Sequence, residues 1–218
     1  MMFPNAHEGV NKIYKSQIFQ LISAALLVLA SIFAAIMVVG IQKENLGLVG
    51  GMGIGTLLFT LGGGVLSIIA LVFYIIGINR AKVDEPTFTK ALICVMVSLG
   101  CSVISMFFSK NLVLTNILNI VKNLANLAAT VFIIFGIQAL AKKLNCEDVD
   151  NRGKLTLRLL IIIYGLTILA SLLASIFAGN EAVATVAGII GIIATILSIV
   201  ATVVYLLFLK RAVKMLEA

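Results

Sequence analysis

Apolar residues fill this chain in runs of about twenty, separated by short polar and charged segments. Roughly twenty helical residues are needed to cross a hydrocarbon core of about 30 Å. The pattern predicts six spans, near 17–40, 55–79, 90–108, 118–139, 157–178 and 184–209. Gly, Ser and Ala recur inside the runs, as in helices whose backbones approach one another in lipid. The period-2 alternation of a membrane β-strand is missing. The expected fold class is all-α, a polytopic membrane protein with six transmembrane helices. Residues 1–16 form a cytoplasmic N-terminal segment, 17–209 a single six-helix membrane domain, and 210–218 a basic cytoplasmic tail. The first apolar run is too long for the core of a signal peptide and reads as a retained helix.

The even-numbered runs repeat one another. Residues 66–81 read LSIIALVFYIIGINRA and 197–212 read LSIVATVVYLLFLKRA, with eight of sixteen positions identical. Between them, 131–138 reads VFIIFGIQ against VFYIIGIN at 72–79, so the even helices align at offsets of 59 and 131 residues. Among the odd helices, LASIFA occurs at 29–34 and again at 173–178, and Ser105 and Phe107 fall in register with Ser31 and Phe33. The sequence therefore predicts three helical hairpins, about 17–79, 90–139 and 157–209. They are parallel repeats around a pseudo-threefold axis, unlike the inverted repeats of many secondary transporters. This plan resembles that of mitochondrial carriers in outline only. The Pro-x-Asp/Glu-x-x-Lys/Arg signature of that family is absent, and none of its function is carried over. The first hairpin holds about 13 extra residues, placed at 43–55, KENLGLVGGMGIG, and expected to form a mobile or re-entrant outer segment.

Charge sets the expected orientation. The chain is 61% hydrophobic with a net charge of +7. Thirteen of the sixteen basic residues cluster in the N-terminal segment, 80–90, 142–158 and the C-terminus. With six spans these four segments share one side, which the positive-inside bias makes cytoplasmic, with both termini inside. Basic flanks meet anionic headgroups there, so the charge calls for no nucleic-acid partner. Cys94, Cys101 and Cys146 lack the spacing of a disulfide framework or a zinc site and read as reduced thiols. The chain has no Asn-x-Ser/Thr sequon. The expected location is a cell membrane, multi-pass, of bacterial type.

Polar chemistry inside the spans is concentrated in helix 4. Asn116, Asn119, Asn123, Asn126 and Thr130 are spaced three and four apart and share one helix face. Projected through the repeat, the column continues as Thr60 and Ser67 in helix 2 and as Thr195, Ser198 and Thr202 in helix 6. Polar residues in membrane helices commonly bond to neighbouring helices at about 0.6 kcal/mol per contact, which makes packing the simpler account. A hydrated solute path lined by neutral amides is the sharper one. Lys122 reads as an interfacial anchor that snorkels. Ser31, Ser105 and Ser175 form a packing column in the odd helices. Gly51, Gly55, Gly62, Gly63 and Gly64 suggest close helix packing or flexibility, with a kink at the triple glycine. They lack the lysine of a phosphate-binding loop. Segment 145–154, NCEDVDNRGK, begins like a calcium loop, but Arg152 replaces a ligand and the closing Glu is missing, so it reads as a solvated turn.

Chemistry that needs ionisable groups at midmembrane has none to use here. His7, the one histidine, lies outside the spans, as do all acids. Proton-coupled transport and membrane proteolysis commonly require such groups. The sequence thus points to no catalytic residue, no cofactor and no metal. The expected role is a non-catalytic assembly or scaffold subunit, with the lipid bilayer and other membrane subunits or a second copy as partners. The alternative is a small-solute permease, channel or substrate-binding membrane subunit of an importer, taking an uncharged solute at the Asn/Thr/Ser face.

Overall fold

The computed structural model describes residues 2–42, 46–108, 112–176 and 181–217, with the side chains of 39, 41, 42, 46–49, 112, 113, 116 and most of 167–198 left aside. Among these residues the chain is all helix: α1 (Pro4–Gln42), α2 (Leu46–Ala81), α3 (Thr87–Phe107), α4 (Leu112–Lys143), α5 (Glu147–Ile176) and α6 (Glu181–Glu217). Four helices are long and apolar enough to cross a membrane, at Pro4–Val38, Gly50–Ala81, Thr87–Phe107 and Ile117–Lys143. Their exteriors carry exposed Leu, Ile, Val and Met along their length, the surface expected of a chain solvated by lipid. The protein is an all-helical membrane protein. The outer parts of the expected fifth and sixth spans fall largely outside the described side chains.

Two compact units divide the chain, Lys12–Gly77 and the combination of Met1–Asn11 with Ile78–Ala218. In the first, α1 lies along α2. Ser16 Oγ donates to the Ala70 carbonyl at 2.7 Å and Ser23 Oγ to the Gly63 carbonyl at 2.8 Å. Phe19 meets Phe73 edge-on at 5.7 Å, and Phe33 meets Phe59 at 5.2 Å. Gly55 and Gly63 allow this approach. A methyl group on Gly55 would overlap the Phe33 ring, and one on Gly63 would sit 3.0 Å from Leu27 and 3.3 Å from the Ser23 carbonyl. Gly51 and Gly64 face open space. Gly62 lies in ordinary contact with Leu26 at 3.7 Å, so Gly55 and Gly63 are the two of the set at which a side chain would crowd α1.

In the second unit α3 packs on α4, α4 on α5, and α5 on α6. Phe88 fills the space that Gly136 leaves, where a methyl group would come within 2.7 Å of its ring. Gly153 does the same for Gln138 at 2.8 Å, and Gln138 Nε2 donates to the Asp150 carbonyl at 3.0 Å. Burial follows the sequence register of the even helices. Ala70, Ala129 and Ala201 are all buried, and so are Ile78, Ile137 and Leu209, and Ala81, Leu140 and Ala212. The same holds for Gly77, Gly136 and Phe208.

The segment before residue 17 is helical from Pro4, a residue whose fixed φ and missing N–H suit the first helical position. Two expectations are corrected. The glycine-rich stretch is no re-entrant loop: α2 runs from Leu46 to Ala81 through all of Gly51, Gly55, Gly62, Gly63 and Gly64. Glycine's cost in a helix, about 1 kcal/mol each, is outweighed where most neighbours are strong apolar helix formers in lipid. Finally, 147–154 is the opening of α5 and not a turn. The reversal takes three residues, Leu144 to Cys146. Asn145 adopts φ 54°, the Cys146 N–H donates to the Ala141 carbonyl at 2.8 Å and the Asn145 N–H to that of Lys142 at 3.2 Å. That pair of bonds is a Schellman motif with Asn in the left-handed position. The acids Glu147, Asp148 and Asp150 then fall in the first turn of α5, where the helix dipole favours them.

Candidate functional site

The polar column of the even helices is the first candidate. On α4 the side chains of Asn119 and Asn123 are exposed, and those of Asn126 and Thr130 half-buried. Thr130 Oγ1 donates back to the Asn126 carbonyl at 3.0 Å, an i−4 bond within its own helix. On α2, Thr60 is exposed, and Ser67 Oγ stands 2.7 Å from Ser23 Oγ across the α1–α2 seam. Thr202 on α6 is half-buried. Asn116, Thr195 and Ser198 lie outside the described side chains. Lys122, outside the column, is half-buried. In the odd helices Ser31 donates to the Leu27 carbonyl and Ser105 to that of Ser102, both inside their own helices. Ser175 lies outside the described side chains. Ser67 and Thr130 thus have interhelical or local partners, whereas Asn119 and Asn123 sit on the surface of the chain.

The second candidate is a collar of charges at the basic end of the hairpins. Each hairpin is clipped there by an ion pair between its two helices or their flanks. Arg80 pairs with Glu8, Lys143 Nζ with Glu85 at 2.7 Å, and Arg211 with Asp148 at 2.6 Å. Arg80 and Arg211 occupy the same column of the repeat, the RA that closes both phrases. The partners differ in burial. Glu85 is nearly buried, while Asp148 is open to solvent and also holds Arg152 at 3.0 Å. Burial pushes the Glu85 carboxyl up, but the Lys143 ammonium and the Thr87 hydroxyl, at 2.7 and 2.8 Å, outweigh it and hold the group below its ordinary value. The guanidinium of Arg211, and then that of Arg152, holds the Asp148 carboxyl low.

The loop between α2 and α3 ties this collar to the chain's beginning. Phe3, at the N-cap of α1, has no side-chain oxygen to offer the first turn. Asp84 supplies it from the loop: its carboxylate accepts the Ala6 N–H at 2.7 Å and the Asn5 amide at 3.1 Å. An oxygen on the third N–H is what an N-cap side chain normally provides. Lys143 Nζ also stands 5.8 Å from the centre of the Phe3 ring, a cation–π distance. Asp84, Glu85, Asp148 and Arg211 are absent from the column found by sequence. Their signal in the sequence is acids interleaved with bases in the short polar segments, which does not say which acid meets which base.

This collar is structural chemistry: paired charges outside the apolar stretches that set where helices begin and end. The described side chains of the column are neutral donors and acceptors, able to bind by hydrogen bonds. Comparison with protein-family models, with curated proteins and with solved structures returns no match to this chain.

Proposed function

We propose that this protein is a non-catalytic subunit that assembles with other membrane helices through the outer half of α4. The observation that carries the reading is the exposure of Asn119 and Asn123 on that helix, four residues apart on one face. An amide facing hydrocarbon has lost its water partners and gains by bonding to a second helix. The hydroxyls of Ser67 and Thr130 are engaged within the chain, whereas these exposed amides have bonding capacity to offer. The partner is another membrane subunit or a second copy.

The arrangement we infer is six spans in three parallel hairpins, both termini cytoplasmic, in a cell membrane of bacterial type. Support comes from the common buried positions of α2, α4 and α6, from the ion-pair clip on each hairpin and from the clustering of basic residues at one end. Single cysteines at 119, 123 and 126, in a chain lacking Cys94, Cys101 and Cys146, test the role. Cross-linking to a second polypeptide at 119 and 123, with protection from a water-soluble maleimide, is the expected result. Labelling that declines steadily from 119 to 126 without cross-links would sink the assembly role and favour the alternative, a path for an uncharged solute along the Asn/Thr/Ser face.

A further inference from the structure

A cavity of about 420 Å³ opens between α4 and α5 at the basic end, well away from the Asn column. That size is within the range of small-ligand pockets, about 300–1,000 Å³. Its α4 wall is a single helix face ending in Lys142, and its α5 wall carries Asp150, Lys154 and Arg158. Phe135 and Leu157 give it an apolar patch between the levels of Lys142 and Arg158. Lys154 is neutralised by Asp150 at 2.7 Å. Lys142 and Arg158 form no ion pair among the described residues, although carboxylates pair with their neighbours Lys143, Arg152 and Lys154. Two cations are therefore left over, lining one cavity that also has an apolar patch.

Depth separates these two cations. Arg158 lies eleven positions into α5, about 16 Å along the axis from Glu147, at the level where the long apolar run of α5 begins. Phe135 is seven residues deeper on α4 than Lys142, about 10 Å. A ligand here meets Lys142 at the outer end, Arg158 at the inner end and apolar surface between them. The Asp150 carboxylate is occupied by Lys154 and leaves both of these cations without a partner of their own among the described residues.

We propose that the α4–α5 groove holds an anionic glycerophospholipid, its phosphodiester drawn to the unpaired Lys142 and Arg158 and its acyl chains lying against Phe135 and Leu157. Basic pockets between membrane helices on the inner face are suited to such headgroups, and Arg presents phosphate with a planar pair of donors. The inference rests on α4 and α5 lying in a bilayer and not on the assembly role of the asparagines.

The chain has no tryptophan, so a single introduced one reports on one place. Phe135→Trp places the probe in the groove, and Ile162→Trp places a control on the exposed side of α5. Each is reconstituted with dibrominated phosphatidylglycerol, phosphatidylethanolamine or phosphatidylcholine, and quenching is compared. The groove probe should favour phosphatidylglycerol over phosphatidylcholine by about tenfold, given the attraction of two cations, and the control by little. Adding Lys142→Gln and Arg158→Gln should bring the groove probe down to the control. Equal preference at both probes, or a preference untouched by the double substitution, overturns the site. Equal quenching by phosphatidylethanolamine overturns the requirement for net negative charge. Displacement by millimolar inorganic phosphate would make it a site for a free anion and not a lipid. Native mass spectrometry of the unsubstituted protein gives an independent reading, with one retained phosphatidylglycerol expected and random retention of both lipids overturning the proposal. Cross-linking at 119 and 123 is read on the same double variant, so failure of this site and failure of the assembly role are told apart.

Discussion

At the scale of single residues, neighbouring glycines with the same sequence appearance carry different weight. Gly63 sits against Ser23 and Leu27, whereas Gly64 faces open space. Gly63→Leu should destabilise the α1–α2 pair by about 1–3 kcal/mol, the usual cost of overpacking. Gly64→Leu should be neutral or stabilising, since leucine is the better helix former. Unfolding in a mild detergent titrated with a denaturing one measures the difference, and equal losses would refute the seam. Glu85 makes a second prediction. Its folded carboxyl titrates below the ordinary 4.5, so its contribution is present above that pH and is lost as pH falls through the lower folded value. Glu85→Gln should remove that acid-side loss from a melting profile taken between about pH 6 and 3, with the rest of the profile intact. The tetrad of Asn119, Asn123, Asn126 and Thr130 was legible as a face from spacing alone. The role of Glu85 was not, because nothing in the local sequence says that Lys143, 58 positions away, will reach it.

Helices as elements show which signals can be read locally. The even helices were clear in sequence because their apolar positions recur column by column, and the buried alanines 70, 129 and 201 follow the same register. Helix starts were less clear. Hydropathy locates the part of a helix that meets lipid, but α1 and α5 continue into the polar segments, where caps and dipoles decide. For α5 the cues were present: Asn145 after two lysines for the stop of α4, then three acids in the next turn. For α1 the deciding group, Asp84, is 78 residues from the N–H it caps. Asp84→Ala should weaken the first turn of α1 by about 1 kcal/mol, a several-fold rise in hydrogen exchange at residues 6–8. Asp84→Asn keeps the acceptor and should show a smaller rise. Exchange unchanged in both variants would remove the cap from the account.

For the whole molecule, the proposed orientation rests on charge, and the test is direct. Reporters fused after Ala81, Ala141 and Ala218 should all give a cytoplasmic signal, and a signal from the far side at any one would break the three-hairpin topology. The clips differ in weight as well. Arg211 and Asp148 are both substantially exposed, so their pair should contribute no more than about 1 kcal/mol in a double-mutant cycle and fade with salt. The nearly buried Glu85 should be far less sensitive to salt. This ranking was hidden from the sequence, where all three pairs look like loop charges.

Helix length has a bearing on the membrane itself. With 39 residues in α1 and 36 in α2, the first hairpin is about 58 and 54 Å long, while the 21 residues of α3 span about 32 Å. Of these three helices, α3 is the one that matches the hydrocarbon thickness of an average bilayer, about 30 Å. The outer turns of α2 stay apolar, with Ile54, Leu57, Leu58 and Leu61 exposed, so they gain little by standing in water. A hairpin of that kind accommodates by leaning or by drawing thicker lipid around it, each at a fraction of a kcal/mol per Å. The glycine-rich extension thus makes bilayer thickness a thermodynamic variable for this protein. Reconstituted in lipids of increasing chain length, it should rise in stability beyond the point where helices of ordinary length have passed their optimum.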